Sequence, residues 1–555
     1  MSEDNKRGSV ARHFSRRLQA DLVVEGLLVG GVCGALICLY RMSLSWAERV
    51  LRSAIFLASG SPLGVAAFFV ILTLLCLAVS WLVRWEPLTQ GSGIPQVDLE
   101  VMGKLDMPLH RVLAAKFTEG TLCALGGLSL GREGPSVQLG AMCGKAVSRL
   151  LKRGRGEERL LTTCGAAAGM SAAFNAPLTG VLFAIEEIHR EFSAPLIVSV
   201  MASSVAADLL MSRVLGVSPV LRLTFSKDLP HNSYLLVLLL GILCGVAGAV
   251  HNKLMFLMSE RVYARIERGL PYSRFAVAFL ASGICAFAFP QLLCGGDAIA
   301  ELLIAPQKLG LLVLVGLLVG KYLLTTVCFG SGAPGGTLFP LCVMGMLLGA
   351  AFGSACVRLS GVPVFYLPNF IVLGICGLFA SVVRAPVTAV VLAFELTGTL
   401  DALLSSSIVA IASYVIANQL RVDAFYEHLV TLQLGRTHGL ELADEHLSEK
   451  VVHLHVIGAG SLLEGKRLSE VHWPGTSRVV TISRASAEIV PTGQTTLQAL
   501  DEILVIMSAC EEDRVQEDLR EMSHARLANS EPQTGFRSLG AGHSPFVSAD
   551  PHKGK

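Results

Sequence analysis

An arginine and a glutamate, Arg132 and Glu133, stand side by side in a long stretch of small and apolar residues. An ionisable side chain at membrane depth costs a few kcal/mol, so such a pair indicates function. Glycine, proline and serine follow at 134–136, a combination typical of a helix N-terminus. Because the free N–H groups and dipole of a helix start attract anions, Glu133 is predicted to lie at an anion-binding position. The alternative is a structural Glu133–Arg132 ion pair that closes a loop.

The composition is that of an integral membrane protein. Of the 555 residues, 52% are hydrophobic and 16% are charged, and the mean hydropathy is +0.59. A basic segment at 1–21 precedes the first apolar run and has no small-residue cleavage site, which predicts a cytoplasmic N-terminal segment rather than a signal peptide. One large membrane domain is expected at 22–430, with halves at about 22–216 and 233–420.

The sequence offers no pattern for a cofactor, a metal or a nucleic acid. Its 14 cysteines include no CxxC pair, so neither a disulfide framework nor a metal site is indicated. The formal net charge of +2 is too small to favour nucleic acid. No nucleophile–base pair or phosphate-binding loop is present, so the chain is not expected to be an enzyme.

An internal repeat divides the apolar region into two similar halves. Residues 176–186 read APLTGVLFAIE and residues 385–395 read APVTAVVLAFE, with six of eleven positions identical. A looser similarity relates 134–144 to 335–345. Glycine and proline breaks at matching places predict a transporter-type architecture, with a binding site between broken helices at mid-membrane. A duplicated structural bundle is the alternative.

The repeat separates two neighbouring glutamates. Glu186 aligns with Glu395, which predicts a shared structural role for both, as caps or partners at equivalent helix ends. Glu187 aligns with Leu396, so this acid was added in one half only. A function specific to the first half explains Glu187 better than a structural role does. The alternative is that Glu187 is a solvated residue at a helix terminus.

Two further glycine-bracketed breaks open helices in the apolar region. They read GSGIP at 91–95 and GAPGGT at 332–337. With the break at 131–135 they provide helix starts whose backbone N–H groups would bind a desolvated anion without a full positive charge. Tyr426, just after the last apolar run, would add a phenolic donor; by itself it would be an interfacial tyrosine.

These segments together resemble the CLC family of chloride channels and proton-coupled chloride antiporters. The similarity covers about 22–430, including GGTLFP at 335–340. It implies an all-α polytopic membrane protein with two inverted-topology halves and broken helices, which forms a homodimer with one ion pathway per subunit. The family usually has phenylalanine two residues before the proline of GGTLFP, where Leu338 stands here and Phe339 follows. We therefore expect backbone chloride binding to be retained and the hydrophobic gate to differ.

The resemblance also implies a role for each site residue. Glu133 matches the gating glutamate of the family. Glu187 matches the internal proton glutamate that marks the antiporters. The implied chloride ligands are the side chains of Ser92 and Tyr426 and groups of Gly93, Ile94, Arg132, Gly134, Thr337 and Leu338.

The polar region after the membrane domain predicts a linker at 431–450 and a small cytoplasmic α+β domain at 451–523. Its pattern resembles the TrkA C-terminal domain of potassium transport regulators, which implies regulation by dimerisation or by a small-molecule ligand; a passive dimerisation module is the alternative. Residues 524–555 are expected to be disordered. The pattern within the domain predicts strands near 451–457, 479–482, 488–490 and 503–507, a turn and short helix at 458–470, and a charged helix at 511–523.

We therefore predict a proton-coupled chloride antiporter, a multi-pass protein of a bacterial inner membrane with both termini in the cytoplasm. Its partners would be chloride, protons and a second copy of the chain. A voltage- or pH-gated chloride channel of the same family is the nearest alternative. A potassium-transport regulator is suggested only by the C-terminal module, and the sequence has no TVGYG filter to support it.

Overall fold

The protein is described here from a computed structural model, which forms two compact units that divide between Leu434 and Gly435; each is treated separately. The predicted tail at 524–555 lies outside the described residues except for its first residue. Most of the predicted linker, from 438 to 449, also lies outside them. The described residues are 3–190, 194–216, 225, 227–269, 273–304, 306, 309–437, 450–458, 460–484, 487–508 and 512–524.

The described part of the first unit is built from helices. In the first half these are α1 (Glu3–Ala58), α2 (Pro62–Trp85), α3 (Ile94–Val101), α4 (Leu109–Leu125), α5 (Glu133–Leu150), α6 (Arg155–Phe174), α7 (Pro177–Phe183) with a π-helical extension (Ala184–His189), and α8 (Ala194–Leu215). In the second half they are α9 (Tyr234–Leu257) with a π-helical extension (Met258–Tyr263), α10 (Ala264–Gly269), α11 (Ser273–Ala288), α12 (Asp297–Leu302), α13 (Leu311–Gly330), α14 (Leu338–Leu359), α15 (Leu367–Val383), α16 (Pro386–Thr397) and α17 (Leu403–Gln419). A last helix, α18 (Phe425–Thr437), runs through the boundary predicted at 430.

Eight of the described helices are long and apolar enough to cross a membrane. Others, such as α3, α7 and α12, are short helices that have glycine or proline residues within them or next to them. Membranes tolerate such breaks only where protein surrounds them, and every residue of α3 is buried. The predicted all-α, multi-pass fold with broken helices is therefore confirmed.

The two halves pack in the same way. Helix α5 packs on α6 as α14 packs on α15, and α1 packs on α8 as α9 packs on α17. A Cβ at Gly140 would lie 2.2 Å from the carbonyl oxygen of Gly165, and one at Gly345 would lie 2.7 Å from that of Gly374. Gly345 is therefore the equivalent of Gly140, and the sequence alignment of 134–144 with 335–345 is wrong by four residues. Glycines in these helices are spaced four residues apart, so an alignment that is shifted by about one helical turn still places glycine against glycine.

Two glutamates cap helices across the halves. The carboxylate of Glu395, in α16, accepts the backbone N–H groups of Leu178 and Thr179 at 2.8 and 2.7 Å, at the start of α7. The carboxylate of Glu186, in the extension of α7, accepts those of Val387 and Thr388 at 3.2 and 2.8 Å, at the start of α16. Each threonine hydroxyl also donates to the same carboxylate. The predicted shared role of Glu186 and Glu395 at equivalent helix ends is confirmed.

The second unit contains an antiparallel sheet of four strands in the order β1-β4-β2-β3, followed by one helix. Residues Ile482, Val505 and Leu519 belong to its apolar core. The turn and short helix predicted at 458–470 are turns followed by a three-residue 3-10 helix, Leu468–Glu470, among the described residues. The elements are β1 (Lys450–Val456), β2 (Arg478–Arg484), β3 (Ala487–Ile489), β4 (Glu502–Ser508) and α19 (Glu512–His524).

A bidentate ion pair joins β2 to the turn before β4. Arg484 donates to both carboxylate oxygens of Asp501, each at 2.7 Å. Burial of Asp501 opposes its ionisation, but these hydrogen bonds outweigh burial and hold the pKa of the carboxyl below its usual range. The pair therefore stabilises the domain at neutral pH, and its contribution declines as the pH falls from the ordinary aspartate range to that lowered pKa.

We expect Glu186→Gln and Glu395→Gln to destabilise the membrane unit by similar amounts, about 1–2 kcal/mol each, because each removes a charged cap from an equivalent helix start. Thermal unfolding of the purified protein in detergent measures the effect. Glu301→Gln is the control, because that side chain is exposed. Markedly unequal losses for the two variants would contradict the reciprocal arrangement.

Candidate ion-binding and proton-transfer site

Loops that precede three helix starts are joined by backbone hydrogen bonds. Gly131 and Gly336 donate to each other's carbonyl oxygens, at 2.6 and 2.7 Å. Gly91 donates to Gly332 and accepts from Gly335, both at 3.0 Å. These bonds bring the N-termini of α3, α5 and α14 to one place, as the three glycine-bracketed segments predicted.

Glu133 is the first residue of α5 and is fully buried. Its Oε2 atom accepts the backbone N–H of Phe339, in the first turn of α14, at 3.2 Å. Its Oε1 atom is buried without a hydrogen-bond partner among the residues that the structure describes. The carboxylate therefore lies between two helix N-termini, where positive potential stabilises an anion.

Arg132 does not pair with this carboxylate. Its guanidinium approaches Asp297 at 3.9 Å and lies 4.9 Å from the ring centre of Phe339. An adjacent cavity of about 230 Å³ is lined in part by Glu48, Arg52 and Asp297. The alternative of a Glu133–Arg132 structural pair is therefore wrong. The arginine lines the cavity and does not form an ion pair with the buried carboxylate.

Three buried hydroxyl groups stand close to the helix starts. They belong to Ser92, Thr337 and Tyr426. The Ser92 and Tyr426 hydroxyls interact with each other, whereas the Thr337 hydroxyl has no hydrogen-bond partner among the described residues. A Cβ at Gly134 would lie 2.5 Å from the Ser92 Oγ atom, and Tyr426 interacts electrostatically with Glu133. Buried polar groups are normally satisfied, so hydroxyl donors buried beside helix N-termini suit a desolvated anion such as chloride.

The remaining predicted chloride ligands are placed by the same helix starts. Gly93 caps α3 with φ +97°, a left-handed conformation suited to glycine, and Ile94 is the first residue of that helix. Thr337 and Leu338 occupy the equivalent positions of α14. Leu338 is fully buried, whereas the following Phe339 packs against Arg132. The backbone positions are therefore assembled as predicted, and the aromatic ring faces the arginine.

Glu187 lies in the π-helical extension of α7 and is 5% exposed. Arg190 approaches it at 3.8 Å and also approaches Asp98, in α3, at 3.9 Å. Both carboxylate oxygens of Asp98 are buried without hydrogen-bond partners among the described residues. Arg190 thus faces two buried carboxylates, those of Glu187 and Asp98. Tyr426 interacts electrostatically with both carboxylates, so they lie near the candidate anion site.

Sequence reasoning missed three charged residues of this region. They are Asp98 and two buried lysines, Lys116 and Lys321. Only Lys321 had a clear signal, as the single charge of the apolar helix α13, because Asp98 and Lys116 share their helices with other charged residues. Lys116 donates to the carbonyl oxygens of Thr89 and Gly91, both at 2.7 Å. Lys321 donates to the carbonyls of residues 292 and 294, at 3.0 and 2.7 Å. Each lysine therefore fixes the loop before a short broken helix, α3 in one half and α12 in the other.

Comparison with known proteins identifies the class. Residues 75–418 match the family described as voltage gated chloride channel, and residues 452–520 match the TrkA-C domain. The chain belongs to the CLC family, a class of multi-pass membrane transport proteins.

Individual relatives agree with this assignment. The H(+)/Cl(-) exchange transporter ClcA of Yersinia pseudotuberculosis serotype IB (strain PB1/+) is 31% identical over 445 residues, which cover 78% of this chain and 92% of the relative. A slow cyanobacterial Cl-/H+ antiporter of known crystal structure is 29% identical with a TM-score of 0.69, covering 75% of this chain and 98% of the other. A CLC-type fluoride/proton antiporter, 21% identical with a TM-score of 0.60, covers 73% of this chain and 97% of its own and shares the fold.

Gly134→Ala should weaken anion binding about tenfold or more, because the added methyl would lie 2.5 Å from the Ser92 Oγ atom and overpack the site. Isothermal titration of the purified protein with chloride measures the change. Gly154→Ala is the matched control, since nothing lies within 4 Å of a Cβ there. Equal chloride affinity in the two variants would contradict an anion site at the start of α5.

Proposed function

We propose that this protein is a proton-coupled chloride antiporter. The observation that carries the proposal is the position of Glu133, a fully buried carboxylate held by the N–H of Phe339 between two helix N-termini. A carboxylate there occupies the positive potential that would otherwise hold chloride. Relatives named as H(+)/Cl(-) exchange transporters support the same exchange.

Exchange follows from charge competition at this position. Ionised Glu133 is a tethered anion that excludes chloride from the helix N-termini. Protonation removes its charge, and the side chain then leaves the site to chloride. Bound chloride in turn repels the returning carboxylate until the anion departs, so the two ions use the site alternately.

Glu187 is proposed as the internal proton acceptor. It is buried beside Tyr426, and Arg190 and Asp98 adjoin it, so a proton can be held near the anion site without crossing the chloride positions. The chloride ligands would be the hydroxyls of Ser92 and Tyr426 with backbone groups of the helix starts. No step needs a cofactor or the chemistry of an enzyme.

The wider setting is proposed from family membership. The protein would act as a homodimer in a bacterial inner membrane, with one pathway per subunit and both termini in the cytoplasm. The TrkA-C unit would be regulatory and would bind a small-molecule ligand or mediate dimerisation.

Chloride efflux from liposomes that contain the purified protein should drive protons against their own gradient, because Glu133 and Glu187 together provide a proton route. Simultaneous chloride-electrode and pH recordings measure both flows. Chloride flux with no accompanying pH change would instead identify a chloride channel.

Glu133→Gln should fold, abolish proton coupling, and conduct chloride at a rate that is independent of pH when chloride is saturating. The amide has no charge to compete with the anion, so its effect has the same sign as permanent protonation. Flux measurements in liposomes and titration with chloride test this. A misfolded or silent variant would instead show that the Glu133 carboxylate serves the fold rather than transport.

Glu187→Gln should abolish proton movement and leave chloride flux, because it removes the proton acceptor and leaves the helix N-termini of the anion site unchanged. Glu186→Gln, one residue away, is the control: it removes a helix cap and should lower stability while the remaining folded protein stays coupled. The same outcome for both variants would show that the repeat does not separate the two roles.

A further inference from the structure

The position of Tyr426 depends on how α18 is anchored. Tyr426 is the second residue of that helix and is fully buried. The side-chain amide of Asn252, in α9, donates to the carbonyl oxygen of Asp423 at 3.0 Å. The guanidinium of Arg384 donates to the carbonyl oxygen of Val422 at 3.0 Å. These bonds fix the backbone just before α18, and the buried rings of Phe425 and Tyr426 hold its first turn in the apolar core; one further polar attachment completes the anchoring.

His428, two residues after Tyr426, provides that attachment. Its ring stacks on Phe256 with centroids 3.7 Å apart. The Nδ1 atom lies 2.8 Å from the Asp423 carboxylate, and the Nε2 atom lies 2.5 Å from the Glu260 carboxylate. Glu260 belongs to the π-helical extension of α9, so the imidazole joins α18 to a second element.

Each ring nitrogen of His428 faces a carboxylate oxygen. A neutral imidazole has one N–H, whereas the imidazolium has two, and only the latter can donate to two ionised carboxylates at once. Loss of one proton turns a nitrogen lone pair towards a carboxylate oxygen and replaces a charge-assisted hydrogen bond by repulsion. The titratable groups that the structure places against the ring are Glu260 and Asp423, while Phe256 covers its face.

Solvent can reach this group. The side-chain exposures of His428, Glu260 and Asp423 are 20%, 38% and 65%. The imidazole can therefore equilibrate with the adjoining solution, unlike the fully buried Glu133. Exposure also screens the two ion pairs, so their effect on the helix is modest.

We propose that His428 is a pH-sensitive positioning residue for the chloride site. Its protonated form clamps α18 and holds the Tyr426 hydroxyl beside Ser92 and the helix starts; its neutral form releases one side of the clamp. Chloride affinity therefore falls when the imidazole loses a proton and one side of the clamp is released. This inference rests on the proposed function, because it takes Tyr426 as a chloride ligand.

The test is equilibrium binding of chloride to the full-length protein in a Glu133→Gln background, which removes the competing carboxylate. Isothermal titration between about pH 5.5 and 8.5 should show affinity falling about two- to fivefold as the pH rises. His428→Arg, a permanent cation, should keep high affinity and remove the pH slope. His110→Gln is the control, since His110 is exposed elsewhere.

Glu260→Gln keeps the His428 ring and its stacking on Phe256 while removing one carboxylate. This variant therefore tests the inference even if His428→Arg does not fold. The inference predicts a flattened pH slope in this variant, whereas a packing role alone predicts an unchanged one. Chloride binding with the full slope in both variants would overturn the inference and leave the proposed function intact. No chloride binding in any variant at any pH would overturn the proposed function itself.

Discussion

Each half of the membrane unit completes a helix of the other half. The carboxylates of Glu186 and Glu395 satisfy N–H groups at the starts of α16 and α7, which have no partners within their own helices. Neither half can make its own cap, so the two must assemble before either helix start is satisfied. The same interface carries the Gly131–Gly336 hydrogen bonds, and these set the distance between α5 and α14 at the anion site.

Structural and functional residues differ in how they follow the repeat. Structural ones are kept in both halves: Lys116 and Lys321 each hold the carbonyls of a loop before a short helix. Functional ones break the symmetry. With Gly131 equivalent to Gly336, Glu133 is equivalent to Leu338, two residues further on. One half thus supplies an ionisable group where the other half supplies a hydrocarbon, and under the proposed function the pathway would have one gate rather than two.

Much of the fold and part of the site could be predicted from the sequence, because the relevant signals are local. Hydropathy gave the membrane domain, and glycine and proline breaks gave the three helix starts. Glu133 and Glu187 were found as acids that neither apolar surroundings nor the repeat explains. The partner of Arg132 could not be predicted, since Asp297 lies far away in the chain and nothing local links the two. Asp98 was missed for the same reason, because its importance comes from Arg190 and Glu187, which only the folded chain brings near.

The paired glycine loops also limit the mechanics of transport. Gly131 and Gly336 are bonded in both directions, and Gly91 is bonded to both Gly332 and Gly335. Under the proposed function, a large rocking motion of one half against the other would break all of these bonds at once. A carboxylate that rotates about its own side-chain bonds would leave every one of them intact. A moving part of that size therefore fits these loops better than a moving helix.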